Sequence, residues 1–157
     1  MHKLIVCDSK KCLGCLICEL ACSAKTAKSI NPSFSRIRVV NFEPSGSLAL
    51  ACMLCEDPPC VRSCPRDALR QHEKTGQIIV NEDKCTGCSW CEIACPFGTI
   101  ASNPIKKGVT ICDLCDGEPE CVKACPYEAL VFATPEEVMH KSRREAFFKL
   151  LKELGEA

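Results

Sequence analysis

Aromatic side chains are scarce in this chain, at 5% of 157 residues with one Trp and one Tyr. No apolar run approaches the ~18–20 residues of a membrane span. Neither sign of charge is in excess, with 20 basic and 20 acidic residues. That balance, with only short charge runs, argues against disorder. The three histidines, His2, His72 and His140, are scattered and expected at the surface. No glycine-rich phosphate loop follows a candidate strand, and no flavin signature is present, so no nucleotide site is argued. Basic residues are not clustered as nucleic-acid binding requires. The N-terminal stretch Met1-His2-Lys3-Leu4-Ile5-Val6-Cys7-Asp8 is too short in apolar residues for a signal peptide and lacks a twin-Arg signal. The expectation is a soluble, cytoplasmic protein with no catalytic constellation and too few ordinary apolar side chains to fill its own interior.

Cysteine is what the chain has instead: 17 residues, far above ordinary usage. Sixteen fall into four groups of four. The first is Cys12-x2-Cys15-x2-Cys18-x3-Cys22, and the second is Cys52-x2-Cys55-x4-Cys60-x3-Cys64 followed by Pro65. The third is Cys85-x2-Cys88-x2-Cys91-x3-Cys95 followed by Pro96, and the fourth is Cys112-x2-Cys115-x5-Cys121-x3-Cys125 followed by Pro126. Groups one and three have the C-x2-C-x2-C-x3-C spacing of bacterial [4Fe-4S] ligation. Three thiolates at i, i+3 and i+6 wrap three corners of a cubane in one tight loop, whose N–H groups can point at the sulfides. The fourth Cys lies about one helical turn further on and leaves that face for a second cluster. Disulfides are disfavoured by the absence of an export signal and by the regular x2 repeats. Zinc sites of the C-x2-C type come as pairs, not as such runs. Four [4Fe-4S] clusters are therefore expected.

The chain also repeats internally. Group one reads C-L-G-C-L-I-C-E-L-A-C and group three C-T-G-C-S-W-C-E-I-A-C; group two ends C-V-R-S-C-P-R-D-A-L and group four C-V-K-A-C-P-Y-E-A-L. After group two, the segment from Ala68 to Val80 reads as strand, glycine turn and strand. Group four begins the same strand at Ala129 but has no returning partner, whereas group one is preceded by one, Leu4 to Cys7. Pairing the chain ends completes a second unit. The fold expected is α+β: two interlocked bacterial-ferredoxin-like modules, each a small hairpin with short helices around two clusters. Residues 1–22 with 108–133 form the outer module, 23–51 a spacer, and 52–107 the inner module.

Exchanging the fourth Cys within each module gives the ligand sets. They are Cys12, Cys15, Cys18 and Cys125 for the first cluster, and Cys22, Cys112, Cys115 and Cys121 for the second. The third has Cys52, Cys55, Cys60 and Cys95, and the fourth Cys64, Cys85, Cys88 and Cys91. The rival arrangement pairs group one with two and three with four; it supplies fewer hairpins. Cys7 aligns with Val80 and is expected as a buried strand residue.

Residues 134–157 differ in character. Thr134-Pro135-Glu136-Glu137 reads as an N-cap, an N1 proline and a capping-box Glu. Phe147, Leu150, Leu151 and Leu154 then share one face of a C-terminal amphipathic helix, which docks either on the chain itself or on a partner.

With these motifs in view, the chain resembles the four-cluster iron–sulfur subunits of the dimethyl sulfoxide reductase B-subunit type, which include the electron-transfer subunits of formate dehydrogenases and formate hydrogenlyase. The four cysteine groups carry the likeness, with Glu56-Asp57-Pro58-Pro59 inside group two, Pro119 before Cys121, and the phrase Ser35-Arg36-Ile37-Arg38-Val39 in the spacer. The resemblance spans roughly residues 3–133. It implies cluster pairing one–four and two–three, and a wire rather than a catalyst: an electron-transfer subunit of a hetero-oligomer. The partner it favours is a tungsten or molybdenum pterin enzyme of the aldehyde oxidoreductase or formate dehydrogenase kind, with a flavin- or nicotinamide-linked subunit or ferredoxin as the other donor or acceptor. The alternatives are a hydrogenase or carbon monoxide dehydrogenase system, or a free polyferredoxin. Group one departs from the pattern, with Ser23 where the others have Pro.

Overall fold

The computed structural model describes residues 2–42, 44 and 46–155, and the side chains of all of these except 145 and 149–155. Leu150, Leu151 and Leu154 of the expected apolar stripe thus lie outside the described side chains. Short elements dominate because each cysteine loop interrupts the chain. In order they are β1 (Leu4–Cys7), α1 (Ile17–Ala27), β2 (Arg38–Phe42), β3 (Gly46–Leu50), α2 (Pro59–Arg62), β4 (Leu69–Gln71) and β5 (Ile78–Val80). There follow α3 (Trp90–Ala94), β6 (Ala101–Ser102), β7 (Val109–Thr110), α4 (Glu120–Lys123), β8 (Leu130–Ala133) and α5 (Pro135–Gly155). No helix among the described residues is long and apolar enough to cross a membrane.

The strands pair in twos, all antiparallel. β1 pairs with β8, with Leu4 opposite Ala133 and Cys7 opposite Leu130. The two ends of the chain therefore meet as the sequence suggested. β4 pairs with β5, with Leu69 opposite Val80. Cys7 and Val80 occupy the same place in these two hairpins, each facing the first Leu of its partner strand.

Two further hairpins were not expected. β2 pairs with β3 inside the segment read as a spacer, and β6 pairs with β7 across the junction at 107/108. The spacer is thus a structured arm and not a plain connector. α1 also runs through residue 22 to Ala27, because Ser23 stands where the other groups carry a helix-ending Pro. The β2–β3 hairpin follows group one as β6–β7 follows group three, so the repeat extends into the arm. Its longer strands and the longer α1 account for most of the extra length there.

The arm and its counterpart lie over the cysteine loops. A Cβ on Gly14 would meet Ser47 Oγ at 2.6 Å and Asn41 Oδ1 at 2.7 Å, both from the β2–β3 hairpin. The carboxylate of Glu19, only 6% exposed, accepts the N–H of Val39 at 2.6 Å. In the other half Glu92 accepts the hydroxyl of Ser102 on β6 at 2.6 Å. The same Glu of the two C-E-x-A-C motifs therefore fastens the following hairpin in both halves.

The interior is small. Ile37 is the largest fully buried apolar side chain, beside Ser23 and Ser35, and Ser35 donates its hydroxyl to the Ile37 carbonyl at 2.8 Å. Cys18, Cys22, Cys52, Cys60, Cys91, Cys112 and Cys121 are themselves part of the core. No buried side-chain polar atom among the described residues lacks a hydrogen-bond partner. His2, expected at the surface, is half-buried over the Gly76 turn. α5 begins with the capping box read from sequence: Thr134 N–H donates to Glu137 Oε2 at 2.8 Å, and Glu137 N–H to Thr134 Oγ1 at 3.3 Å. Beyond its first turns α5 leaves the body, with Phe147 and Phe148 exposed edge to face on each other.

Candidate metal centres

The cysteine loops have a backbone suited to holding a polyanionic group. In group one Gly14 and Leu16 have φ of +68° and +62°; in group three Gly87 and Ser89 have +70° and +61°. Groups two and four repeat a different signature, with Leu54 at +48° and Leu114 at +57°. In group four Cys115 and Asp116 continue the left-handed run at +48° and +56°. Left-handed residues in a tight loop let backbone N–H groups face one side, as in anion-binding nests. For Leu and Ser the conformation costs on the order of 1 kcal/mol each, strain that the loop sustains at a functional site.

Three of the expected foursomes each line a cavity of similar size. Cys12, Cys15, Cys18 and Cys125 surround one of ≈ 330 Å³, roofed by Val39 and Ala49 of the arm. Cys64, Cys85, Cys88 and Cys91 surround another of ≈ 330 Å³, roofed by Val109 of β7. Cys52, Cys55, Cys60 and Cys95 surround one of ≈ 300 Å³. The remaining four are also neighbours: the charge of Cys22 acts on Cys112, Cys115 and Cys121. Cys112 also feels Cys52, so the second and third foursomes adjoin. Among the described residues no three His, Cys, Asp or Glu side chains converge on a single-ion site. The sulfurs instead stand back around a space, the donor set that a cubane with four thiolate corners fits.

Burial sets the thiol chemistry. It pushes Cys18 and Cys112 up to about 12, and Cys52 and Cys91 up to about 11. Cys60, Cys115 and Cys121 are raised for the same reason. Cys95 moves the other way: burial alone would raise it, but the Thr99 hydroxyl and the backbone N–H groups of Thr99, Phe97 and Gly98 outweigh that. The fourth cysteine of each group has such a donor. Ala68 N–H reaches Cys64 Sγ and Ala129 N–H reaches Cys125 Sγ, both at 3.3 Å. Cys22 is served differently, by the N–H of Arg36 in the arm at 3.3 Å. The Arg36 guanidinium pairs with the Asp113 carboxylate, beside Cys112.

Cys7 is half-buried rather than fully buried. Its sulfur accepts the N–H of Ala49 at 3.3 Å, and it borders Cys12 and Cys125. Burial and these neighbours push it up to about 11, so it stays a thiol beside the first foursome. Sequence reasoning named the sixteen candidate ligands but missed Glu19, Glu92, Arg36 and Asp113. The repeated Glu after the third Cys was visible as a signal; the role of Arg36 was not, because it depends on where the arm folds.

The exposures of the cysteines are unequal. Only Cys15 and Cys88, one in the first foursome and one in the fourth, are exposed. Exposed apolar side chains line the space beside each: Leu13, Leu16 and Tyr127 with Cys15, and Trp90 with Cys88.

The sequence pattern of the 4Fe-4S dicluster domain family matches residues 46–135. The polyferredoxin-like subunit of aliphatic sulfonate oxidoreductase from Pyrococcus furiosus is 47% identical over 116 residues, which cover 73% of this chain and 66% of that protein. This chain thus spans just under two thirds of that relative. The putative electron transport protein YsaA of Escherichia coli is 39% identical over 159 residues, covering 92% of this chain and 99% of YsaA. The B subunit of the anaerobic dimethyl sulfoxide reductase of Escherichia coli is 37% identical over 155 residues, covering 85% of this chain and 74% of that subunit.

Proposed function

The chain belongs to the 4Fe-4S dicluster domain family, and on that premise we propose that it relays single electrons along four [4Fe-4S] clusters as the non-catalytic subunit of an oxidoreductase complex. The observation that carries the reading is the arrangement of sixteen cysteines as four neighbouring foursomes, three of them around cavities of like size. Cys12, Cys15, Cys18 and Cys125 hold the first cluster; Cys22, Cys112, Cys115 and Cys121 the second; Cys52, Cys55, Cys60 and Cys95 the third; Cys64, Cys85, Cys88 and Cys91 the fourth. When bound, each cluster supplies one-electron exchange without bond-making to substrate. The chain's own part is to order them. Cys18 and Cys22 share α1, Cys112 and Cys52 adjoin, and Cys91 lies in the first turn of α3 with Cys95 at its C-terminal end. The clusters then follow in the order first to fourth.

Residues 1–22 with 108–133 form the outer of two interlocked modules and 52–107 the inner one. The pairing of β1 with β8 and of β4 with β5 supports this division. Electrons enter and leave at the ends of the row, where Cys15 and Cys88 are exposed among apolar side chains. The catalytic partner is a molybdenum or tungsten pterin enzyme, and the complex works in the cytoplasm, where free thiols stay reduced. The relation to oxidoreductase subunits in Pyrococcus and Escherichia supports a partner of reductase type.

Anaerobic native purification with metal analysis tests the assignment. The expected result is about 16 irons per chain with a large molybdenum- or tungsten-containing subunit co-migrating. About 4 or 8 irons would overturn the count, and a brown protein migrating alone would overturn the partner. Cys22→Ser tests the exchange of fourth ligands: it should alter the signal of the group-four cluster, whereas an altered group-two signal would support the rival pairing.

A further inference from the structure

Three of the four fourth cysteines obtain their sulfur-directed donor from their own loop, four residues on. Cys64 has Ala68, Cys125 has Ala129, and Cys95 has Thr99. In group one the residue four on is Thr26, which lies inside α1 and donates its hydroxyl to the carbonyl oxygen of Cys22 at 2.8 Å, not to the sulfur. The substitution of Ser23 for Pro thus removes the turn that would supply the donor. The arm replaces it: Arg36, fourteen residues away, brings its N–H to Cys22 Sγ.

Arg36 brings a charge as well as an N–H. Its guanidinium pairs with Asp113, the residue between Cys112 and Leu114. The Arg36 side chain is 26% exposed, so its field is only partly screened. Asp113 is fixed on two further sides: its Oδ1 accepts the N–H of Cys115 at 3.1 Å, and its carbonyl oxygen accepts the Gln77 side-chain amide at 2.7 Å. A cation and an anion are therefore held beside the foursome Cys22, Cys112, Cys115 and Cys121. None of the other fourth cysteines takes its donor from a charged residue. Net charge and hydrogen bonds to sulfur are the levers that set cluster potentials.

We infer that Arg36 is a positioning residue that raises the reduction potential of the second cluster above what its four thiolates and Asp113 alone would give. The inference rests on the ligand sets proposed above. It makes the arm a tuning device for one position in the row, not only a cover for the loops.

The test is an anaerobic redox titration of the full chain, followed by electron paramagnetic resonance. Arg36→Met keeps the backbone N–H and the apolar stem but leaves Asp113 uncompensated. One of four midpoints should fall, by about tenfold in the reduced-to-oxidised ratio at fixed ambient potential, or about 59 mV for one electron. Arg36→Lys should restore most of the shift. Asp113→Asn keeps the acceptor for Cys115 and removes the anion, so the same midpoint should rise; this variant also stands in if Arg36→Met fails to fold. The double variant Arg36→Met/Asp113→Asn removes both charges and should return toward wild type, whereas loss of a merely structural tie would not be repaired by it. Four unmoved midpoints in Arg36→Met with a full iron complement, or a double variant as displaced as the single, would overturn the inference. A wild-type chain with fewer than about 16 irons would overturn the ligand sets instead, so the two failures are distinguishable.

Discussion

Replacing Glu19 by Ala should loosen the arm over the first cluster. The Glu19 carboxylate is buried and holds Val39 N–H at 2.6 Å, a charge-assisted bond in a dry setting. Such bonds contribute about 1.5–3 kcal/mol, and Ala also leaves the half-buried Val39 N–H without its partner. A loss of about 2 kcal/mol corresponds to roughly 30-fold in rate if the arm must open before the cluster is lost. Glu19→Gln keeps an oxygen acceptor, and it also removes a negative charge that, after burial, raises the Cys18 thiol. Those two effects oppose each other, so Gln should stay within about fivefold of wild type. Glu92→Ala removes the equivalent bond in the second half, but Ser102 is exposed there and the expected cost is about 0.5 kcal/mol, or about twofold. The assay is the rate at which the visible charge-transfer band bleaches in anaerobic guanidinium. If Glu19→Ala bleached within threefold of wild type, or if Gln bleached as fast as Ala, the buried hydrogen bond would not be what holds the arm.

Gly14→Ala should cost more than Gly98→Ala. Both have positive φ, +68° and +59°, but only at Gly14 does the new Cβ meet other atoms, so iron loss on heating should come earlier in Gly14→Ala and the reverse order would refute the contact. Buried thiols raised from 9.0 to about 11 or 12 favour the iron-free fold below about pH 9, and that contribution is lost as pH rises through the folded values. Cluster insertion needs thiolates, so reconstitution at fixed iron and sulfide should release protons and go further at about pH 9 than at about pH 7; a yield falling over that interval would contradict this. Truncation at Thr134 should leave the iron content unchanged, because α5 is exposed along its described side chains from Met139 on, and should weaken only complex formation; loss of iron would place the helix in the body.

Much of this molecule is legible in its sequence because cluster ligation dictates spacing. Sixteen cysteines at fixed intervals leave few loop shapes, and the alignment of Leu4–Cys7 with Ile78–Val80 is enough to pair the chain ends. The capping box at Thr134 is equally local. The arm was not legible. Its strands are five residues long where the counterparts β6 and β7 have two, so the repeat is hidden by insertion. Arg36 and Asp113 are 77 residues apart and join only once the arm is folded. Cys7 was expected to be buried; it is half-buried, as is Val80 at the equivalent place in the other hairpin.

The meeting of β1 with β8 also bears on biosynthesis. A ribosome releases Cys12, Cys15 and Cys18 more than a hundred residues before Cys125. At about 5–20 residues per second, that is a wait on the order of ten seconds. The β4–β5 hairpin and groups two and three are complete well before then. On the ligand sets proposed above, the inner pair of cluster sites is therefore complete first and the outer pair last. Cys12, Cys15 and Cys18, among the earliest thiols made, are then the last to gain their fourth partner.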